Sequence, residues 1–140
     1  MVAVRVNGGK ELLAKLASRC DRIATASAAA LYQKALQIMA DADRLVPVKT
    51  GRLRASHYVA LPEIISGFIR VRLGYGTKYA LPVHERLEAH HEHGQAKYLE
   101  TPFNEHKSGL TEWFARKISE NLERNVGVPS ASFPTAGSER

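Results

Sequence analysis

Apolar residues in the first third of the chain recur at steps of three and four positions, which is the spacing of one face of an α-helix. This spacing predicts a helix from Lys10 to about Leu45. About 35 helical residues measure about 50 Å, longer than a compact domain of this size is wide, so we expect part of the helix to project or bend. Small residues predict close packing against a neighbour at Thr25, Ser27 and positions 28–30. The apolar positions of the predicted helix are Leu12, Leu13, Leu16, Cys20, Ile23, Ala24, Leu31, Ala35, Ile38, Met39, Ala42 and Leu45.

Alternation of apolar and polar residues replaces the helical spacing in the middle of the chain and predicts β-structure. Between residues 69 and 75 the odd positions are apolar or aromatic, whereas Arg70 and Arg72 fall on the opposite face. Residues 57–61 supply a second strand. The connection at 62–67 favours an antiparallel hairpin with a longer loop.

A second amphipathic helix is predicted in the last third of the chain. Thr101 before Pro102 has the form of an N-cap followed by proline at the first helical position, where the missing N–H costs nothing. Gly109 costs about 1 kcal/mol inside a helix, which predicts a kink or a break there. We expect the apolar stripe of this helix to pack on the dry face of the sheet. The stripe consists of Leu110, Trp113, Phe114, Ile118 and Leu122.

Together these elements predict an α+β fold, with a long N-terminal helix and a C-terminal amphipathic helix packed on a small, mainly antiparallel β-sheet. A short alternation at residues 2–6 adds an edge strand. A chain of 140 residues fits one domain, which we place at residues 1–126. Residues 127–140 have no periodicity, contain Phe133 as their one aromatic residue, and are predicted to form a flexible tail or docking arm.

Two stretches between the periodic elements are unusual in composition. Residues 46–54 contain a proline that must end the long helix, a Thr-Gly turn, and the cations Lys49, Arg52 and Arg54. Residues 79–103 contain four of the six histidines, two prolines and three aromatic residues. Because each proline pushes the preceding residue out of the helical region, the second stretch must interrupt long secondary structure and join two halves of the chain.

In their serial order, these stretches resemble the small neck and tail-completion proteins of long-tailed bacteriophages, a tail-terminator-like family. The resemblance covers about residues 8–125. The histidine-rich insert at residues 90–93 and the C-terminal tail depart from the family pattern. The resemblance rests on a long helix, a hairpin and a final helix, combined in order with motifs at residues 46–54, 73–76, 79–80, 83–85 and 94–99.

The resemblance implies a structural virion protein rather than an enzyme, without a cofactor. Such a protein forms a ring of identical copies, for which we favour a hexamer. The ring completes or terminates the tail and joins it to the head connector. The implied partners are the connector or stopper protein, the tail tube protein, and double-stranded DNA that passes through the lumen without sequence-specific binding. The implied location is the virion neck, with host cytoplasm during assembly. A head-side adaptor or stopper ring of the same neck is the alternative.

We expect the subunit or partner interface to use four parts of the chain. These are the charged corner, which consists of Lys49, Arg52 and Arg54, the arginine face of the hairpin, the segment at 79–100 and the tail. Aromatic residues and arginines are enriched in interface cores. We expect the arginines of the corner and of the hairpin mainly to pair with acids of a neighbouring subunit, such as Glu85, Glu88 or Glu92, with at most a minority facing the lumen. The predicted interface residues are Arg52, Arg54, Arg70, Arg72, Tyr79, His84, Glu85, Arg86, Tyr98 and Phe133.

The composition adds few constraints to this reading. A net charge of +6 and a pI near 9.7 favour polyanions electrostatically. The cations are interleaved with acids and no DNA-reading module is present, so a DNA-binding protein is a weaker alternative whose contacts would be to the phosphate backbone. No run approaches the roughly 18 apolar residues that span a bilayer, so we expect a soluble protein without a membrane partner. Cys20, the only cysteine, is predicted to be buried and inert.

A group of histidines and glutamates raises the question of a metal site, because zinc accepts imidazole and carboxylate ligands. Zinc hydrolase helices place two histidines four positions apart with a glutamate after the first, and this spacing is absent. A polar loop or a pH-sensitive interface fits the pattern better. No nucleophile elbow or phosphate-binding glycine loop is present, so we assign no catalytic, cofactor or metal residues. The group consists of His84, Glu85, His90, His91, Glu92 and His93.

Overall fold

Helix α1 spans Gly9–Leu45, and the other elements are arranged along it. The computed structural model describes residues 7–88 and 92–124. The predicted helix at Lys10 to Leu45 is therefore confirmed. The helix ends because Val46 is extended and Pro47 follows it, and proline has no N–H with which to continue the helix. The strand predicted at residues 2–6 and the tail predicted at 127–140 lie outside the described residues.

The N-terminal half of α1 projects beyond the rest of the described chain. Every side chain from Lys10 to Ile23 is exposed, whereas buried positions begin at Ala26 and recur as far as Ala42. The expectation that part of the helix projects is therefore confirmed. The prediction that Cys20 is buried is wrong, because this residue lies in the exposed half.

An irregular hairpin forms the β-structure. Strand β1 (His57–Val59) pairs antiparallel with β4 (Leu73–Tyr75), and β2 (Glu63–Ile65) pairs antiparallel with β3 (Phe68–Arg70). The β1 register continues to Ala60, whose N–H donates to the carbonyl of Arg72 at 2.7 Å, but Glu63 lies opposite Arg70. The first arm therefore contains one residue more than the second, a β-bulge at Leu61-Pro62 that divides the ladder in two.

The hairpin closes more tightly than predicted. Its turn contains only Ser66 and Gly67, both with positive φ as in a type I′ turn, whereas residues 63–65 belong to a strand rather than to a loop. The two predicted faces are confirmed. Arg70 and Arg72 are exposed, and the alternating side chains are half-buried at Ile69, Val71, Leu73 and Tyr75.

Four shorter helices complete the fold. Helix α2 (Arg52–Ala55) is a single helical turn that directly follows the predicted Thr-Gly turn, and α3 (Ala80–Glu85) lies in the histidine-rich segment. Helices α4 (Glu100–Lys107) and α5 (Leu110–Arg124) are separated at Gly109, which has φ +66°. The break predicted at Gly109 is confirmed. Helix α4 begins at Glu100, so Thr101 lies within the helix and is not its N-cap.

Helix α5 packs chiefly along α1, antiparallel to it, and not on the dry face of the sheet as expected. Asn121 Nδ2 donates to the carbonyl oxygen of Ala26 at 3.1 Å, and the Lys34 ammonium lies 3.9 Å from the centre of the Trp113 ring. The small side chains of Ala26 and Ala30 are buried where α5 approaches, which explains the alanine-rich sequence. From the predicted stripe, Leu110 and Phe114 line a groove that also contains the hairpin residues Val71 and Leu73.

A small apolar core lies where α1 ends. It is formed by Val46, Leu53 and Tyr98, with Tyr75 and Val83 among the residues packed around it. The α+β fold class, with a long N-terminal helix, C-terminal helices and a small antiparallel β-region, is confirmed. None of the helices in the described ranges is both long and apolar enough to cross a bilayer.

Candidate functional site

Tyr98 fixes the 79–100 segment to the core. Its side chain is only 1% exposed, and its hydroxyl donates to the carbonyl oxygen of Ala80 at 2.8 Å. The ring packs edge-on against Tyr75 and His84, with centroid distances of 5.2 and 5.0 Å. Burial raises the pKa of the Tyr98 phenol. Tyr98 was predicted as an interface anchor, but its side chain is enclosed within one chain and does not reach the surface of the monomer.

Gly94 allows this segment to approach the end of α1. The Gln95 N–H donates to the carbonyl oxygen of Leu45 at 2.8 Å, which satisfies one of the free acceptors at the helix terminus. Gly94 has φ +89°, and a Cβ atom there would lie 2.6 Å from backbone atoms of Leu45 and Pro47. Only glycine tolerates both conditions.

A polar cluster of His84, Glu85, Lys97 and Glu100 surrounds this attachment. His84 Nδ1 lies 2.8 Å from Glu85 Oε1, and His84 Nε2 accepts from the Glu100 N–H at 3.4 Å. The Lys97 ammonium lies 2.6 Å from Glu85 Oε2 and 3.0 Å from Glu100 Oε2. Lys97 itself has φ +56°, a left-handed conformation that is uncommon outside glycine. The four side chains therefore hold a strained turn in place.

The charges in this cluster compensate one another. Hydrogen bonds from Lys97 and then His84 lower the pKa of Glu85, and hydrogen bonds to Glu85 and then Glu100 raise the pKa of Lys97. Ligand atoms of His84, Glu85 and Glu100 all lie within 4.8 Å of one another, as in a possible metal site. Because the Lys97 ammonium already contacts both carboxylates, the arrangement is that of an ion-paired latch. His90 and His91 lie outside the described residues.

The charged corner and the 79–100 segment meet in space. Lys49, Arg52 and Tyr79 line one pocket of about 430 Å³ whose floor includes Leu53 and Val83. Within the described ranges, neither Arg52 nor Arg54 forms an ion pair. Two predicted interface residues, Arg52 and Tyr79, are therefore brought together on an accessible cationic surface.

Arg70 and Arg72 have a partner within the same chain. Arg70 Nη2 lies 2.9 Å from Glu63 Oε2, and Arg72 Nη2 lies 2.6 Å from Glu63 Oε1. The strand register places Glu63 opposite Arg70, and the hydrogen bonds from Arg70 and then Arg72 lower the pKa of Glu63. Glu63 is therefore a partner within the chain that the sequence did not suggest, and the expected pairing with acids of a neighbouring subunit stays a prediction.

Arg86 and Phe133 are the predicted interface residues that have not yet been located. Arg86 ends α3 with its N–H donating to the carbonyl of Pro82 at 3.2 Å, and its side chain is exposed. Phe133 lies outside the described residues. His84 and Arg72 line a second pocket of about 470 Å³ together with Phe103.

Sequence reasoning missed a buried lysine. Lys34 is only 7% exposed, and its ammonium lies 3.5 Å from His106 Nδ1 as well as above Trp113. His106 Nε2 in turn lies 2.7 Å from Asp41 Oδ2. Burial, then the positive charge of Arg116, lowers the pKa of Lys34. The available signal was the position of Lys34 on the helix face, four residues from both Ala30 and Ile38.

Large apolar side chains form three exposed surfaces, and others are exposed singly at Leu36, Tyr58, Leu61 and Phe103. The tip surface consists of Ile65 and Phe68 beside the hairpin turn, and Phe68 is 78% exposed. The α3 surface consists of Tyr79, Leu81 and Leu87. The distal stripe lies on the projecting half of α1 and consists of Leu12, Leu13, Leu16, Cys20 and Ile23.

These surfaces arise from the local sequence. A type I′ turn requires small or polar residues at its centre, so the flanking Ile65 and Phe68 stand at the end of the hairpin. Such contiguous apolar surfaces are typical of sites where a protein meets a partner. Comparisons with protein-family models, with curated proteins and with solved structures gave no match to this chain.

Proposed function

We propose that this chain is a structural protein of the head–tail neck of a long-tailed bacteriophage, where it forms a ring that completes or terminates the tail and joins it to the head connector. The serial order of the motifs between residues 46 and 99 supports this proposal. So does the packing of the described part of the 79–100 segment, whose ion-paired and core residues attach it to the end of α1.

The observation that carries the proposal is the pair of unlike apolar surfaces, the tip surface and the α3 surface. The tip surface lies beside the turn of the hairpin, whereas the α3 surface follows strand β4 in the chain, so the two belong to different elements. Two different surfaces that bind each other form a head-to-tail contact, and such contacts produce a closed ring when the rotation between copies closes. We therefore infer that Phe68 of one copy meets the α3 surface of the next.

The cationic corner supports a position around DNA. Lys49, Arg52 and Arg54 carry positive charge that is not neutralised by ion pairs within the described chain. A lumen wall that bound DNA tightly would obstruct its passage, because each neutralised phosphate releases counterions and strengthens retention. Three cations per copy provide a loose, salt-sensitive contact with the phosphate backbone. The same corner could serve a head-side adaptor or stopper ring, which is the alternative position in the neck.

The test is the mass of the purified protein, measured by native mass spectrometry and light scattering, with and without tail tubes. We expect a ring for the unmodified chain and loss of the ring for both Phe68→Ser and Leu87→Ser. Leu36→Ser, which changes an exposed leucine of α1 outside both surfaces, is the matched control and should leave the ring intact.

Mixing the two variants tests the head-to-tail contact itself. In the mixture, one intact contact remains between the tip surface of Leu87→Ser and the α3 surface of Phe68→Ser. We therefore expect mixed dimers but no rings. A protein that stays monomeric even with tail tubes, or rings that tolerate both substitutions, would contradict the proposal. Binding to purified connectors but not to tail tubes would favour the head-side alternative.

A further inference from the structure

The distal stripe is the continuation of a face that is covered elsewhere in the same helix. At 100° per residue, Leu16, Ile23, Ala30 and Lys34 lie within about 40° of one another around α1. Helix α5 covers this face at Lys34, where Trp113 lies against the ammonium, and near Ala26, where Asn121 donates to the backbone. Leu12 and Leu13, at the far end of the same face, are 58% and 67% exposed.

Helix α5 ends where the uncovered part of this face begins. Its direction along α1 is set by contacts that pair His106 with Asp41, Asn121 with Ala26, and the carbonyl of Leu122 with Arg22. The last residue of α5, Arg124, follows two positions later. The chain therefore leaves α5 beside Ile23, the first residue of the distal stripe in this direction.

The segment that follows has the length and chemistry to cover the stripe. From Ile23 to Leu12 the helix rises about 17 Å, and the nine residues from Arg124 to Phe133 reach up to about 30 Å when extended. This segment supplies apolar side chains, and its prolines favour an extended backbone that lies along a surface. Its apolar residues larger than alanine are Val126, Val128, Pro129, Phe133 and Pro134.

We infer that residues 125–140 dock on the distal stripe of the same chain, with Phe133 against the leucines of the projecting helix. Contact with the same chain is favoured because the connection begins at the edge of the stripe, and a short connection gives an effective concentration in the millimolar range. A second copy at micromolar concentration competes poorly with it. Docking removes the apolar side chains of α1 from water. This inference does not depend on the proposed neck function.

Cys20 provides the probe, because it is the only cysteine and lies exposed within the stripe. A nitroxide attached to Cys20 should strongly broaden the NMR signals of residues 126–133 in an isotope-labelled chain. A mixture of labelled chain without nitroxide and unlabelled chain with nitroxide should show no such broadening. Absence of broadening within the chain, or broadening only in the mixture, would overturn the assignment to the same chain.

Thiol reactivity gives a second measurement without a bulky label in place. The full chain with Val126→Ser, Val128→Ser and Phe133→Ser should react with a maleimide at Cys20 several-fold faster than the unmodified chain. Thr135→Ser in the same segment is the control and should leave the rate unchanged. Equal rates for the triple variant and the unmodified chain would refute docking on the stripe, whereas the state of ring assembly would not alter this readout.

Discussion

The two halves of α1 share one helical pattern but differ in what covers them. From Ala26 to Ala42 the inward face is rich in alanine, and α4 and α5 pack against it closely enough to bury the alanines almost completely. From Lys10 to Ile23 the same face consists mainly of large aliphatic residues, and each of them is exposed. The half with the smaller side chains is therefore the half that is buried.

This difference shows that hydrophobic periodicity identifies a face but not its partner. Alanine is favourable where a neighbouring helix approaches closely, because a larger side chain would overpack the contact. Leucine is favourable where more apolar area can be buried against a more distant or extended partner. The residue sizes along one stripe therefore indicate that the buried half binds a helix of the same chain and that the exposed half binds something else.

The largest expected effect concerns Gly94, where the 79–100 segment is attached to the C-terminal end of the buried half of α1. Gly94→Ala places a Cβ atom 2.6 Å from backbone atoms of Leu45 and Pro47 and forces alanine into φ +89°. We expect the free energy of unfolding to fall by about 3 kcal/mol or more, because strain and overpacking add. Urea denaturation followed by circular dichroism measures the change.

Gly51→Ala is the matched control for Gly94→Ala. Gly51 also has positive φ, at +75°, but a Cβ atom there meets nothing within 4 Å. The control should therefore lose only the conformational part, about 1 kcal/mol. Equal losses in the two variants would show that Gly94 does not need its close approach to α1, and that the buried half is not anchored there.

A medium effect is expected from exchanging residue sizes between the two halves. Ala30 is fully buried, so Ala30→Leu should overpack the inward face and lower the free energy of unfolding by about 1–3 kcal/mol. Leu16 lies on the same face but outside the contact with α5, so Leu16→Ala loses at most its contact with the docked C-terminal segment, about 1 kcal/mol or less. Thermal and urea unfolding of both variants measure the contrast. A larger loss in Leu16→Ala than in Ala30→Leu would reverse the comparison.

The fold was predictable wherever local pattern decides the structure. The bounds of α1, the break at Gly109 and the two faces of the hairpin follow from periodicity and from the backbone limits of proline and glycine. The tight turn at Ser66-Gly67 was not anticipated, because the proline at 62 suggested a loop and instead occupies a bulge. The packing of α5 on α1 was missed because an apolar stripe does not specify its partner.

The candidate site was less predictable, since it depends on which side chains the fold brings together. The meeting of Arg52 and Tyr79 in one pocket joins stretches 27 positions apart. Tyr98 resembled an interface aromatic in the sequence, yet a hydrogen bond to Ala80 and burial place it in the core. Glu63 was not considered as a partner for the hairpin arginines because the predicted loop excluded it from the ladder.

The smallest expected effect concerns the charge buried beneath α5. Lys34 lies among Trp113, His106, Asp41 and Arg116, and burial together with Arg116 lowers its pKa from the ordinary 10.5. In the pH range between the lowered pKa of the folded state and 10.5, the unfolded chain binds more protons than the folded chain. Stability linked to this group therefore rises with pH across that range.

Lys34→Met removes the titrating group and keeps a side chain of similar length, so the variant should lack this contribution. We expect the free energy of unfolding of the unmodified chain, minus that of Lys34→Met, to increase as the pH rises through the alkaline range toward 10.5. Subtraction removes the titrations that both chains share, including that of Lys97. Lys15→Met on the exposed half of α1 is the control for the loss of one positive charge. A difference that stays constant or falls with pH would mean that the ammonium of Lys34 is not disfavoured by the contact between α1 and α5. The buried half of α1 would then tolerate a charge as readily as the exposed half does.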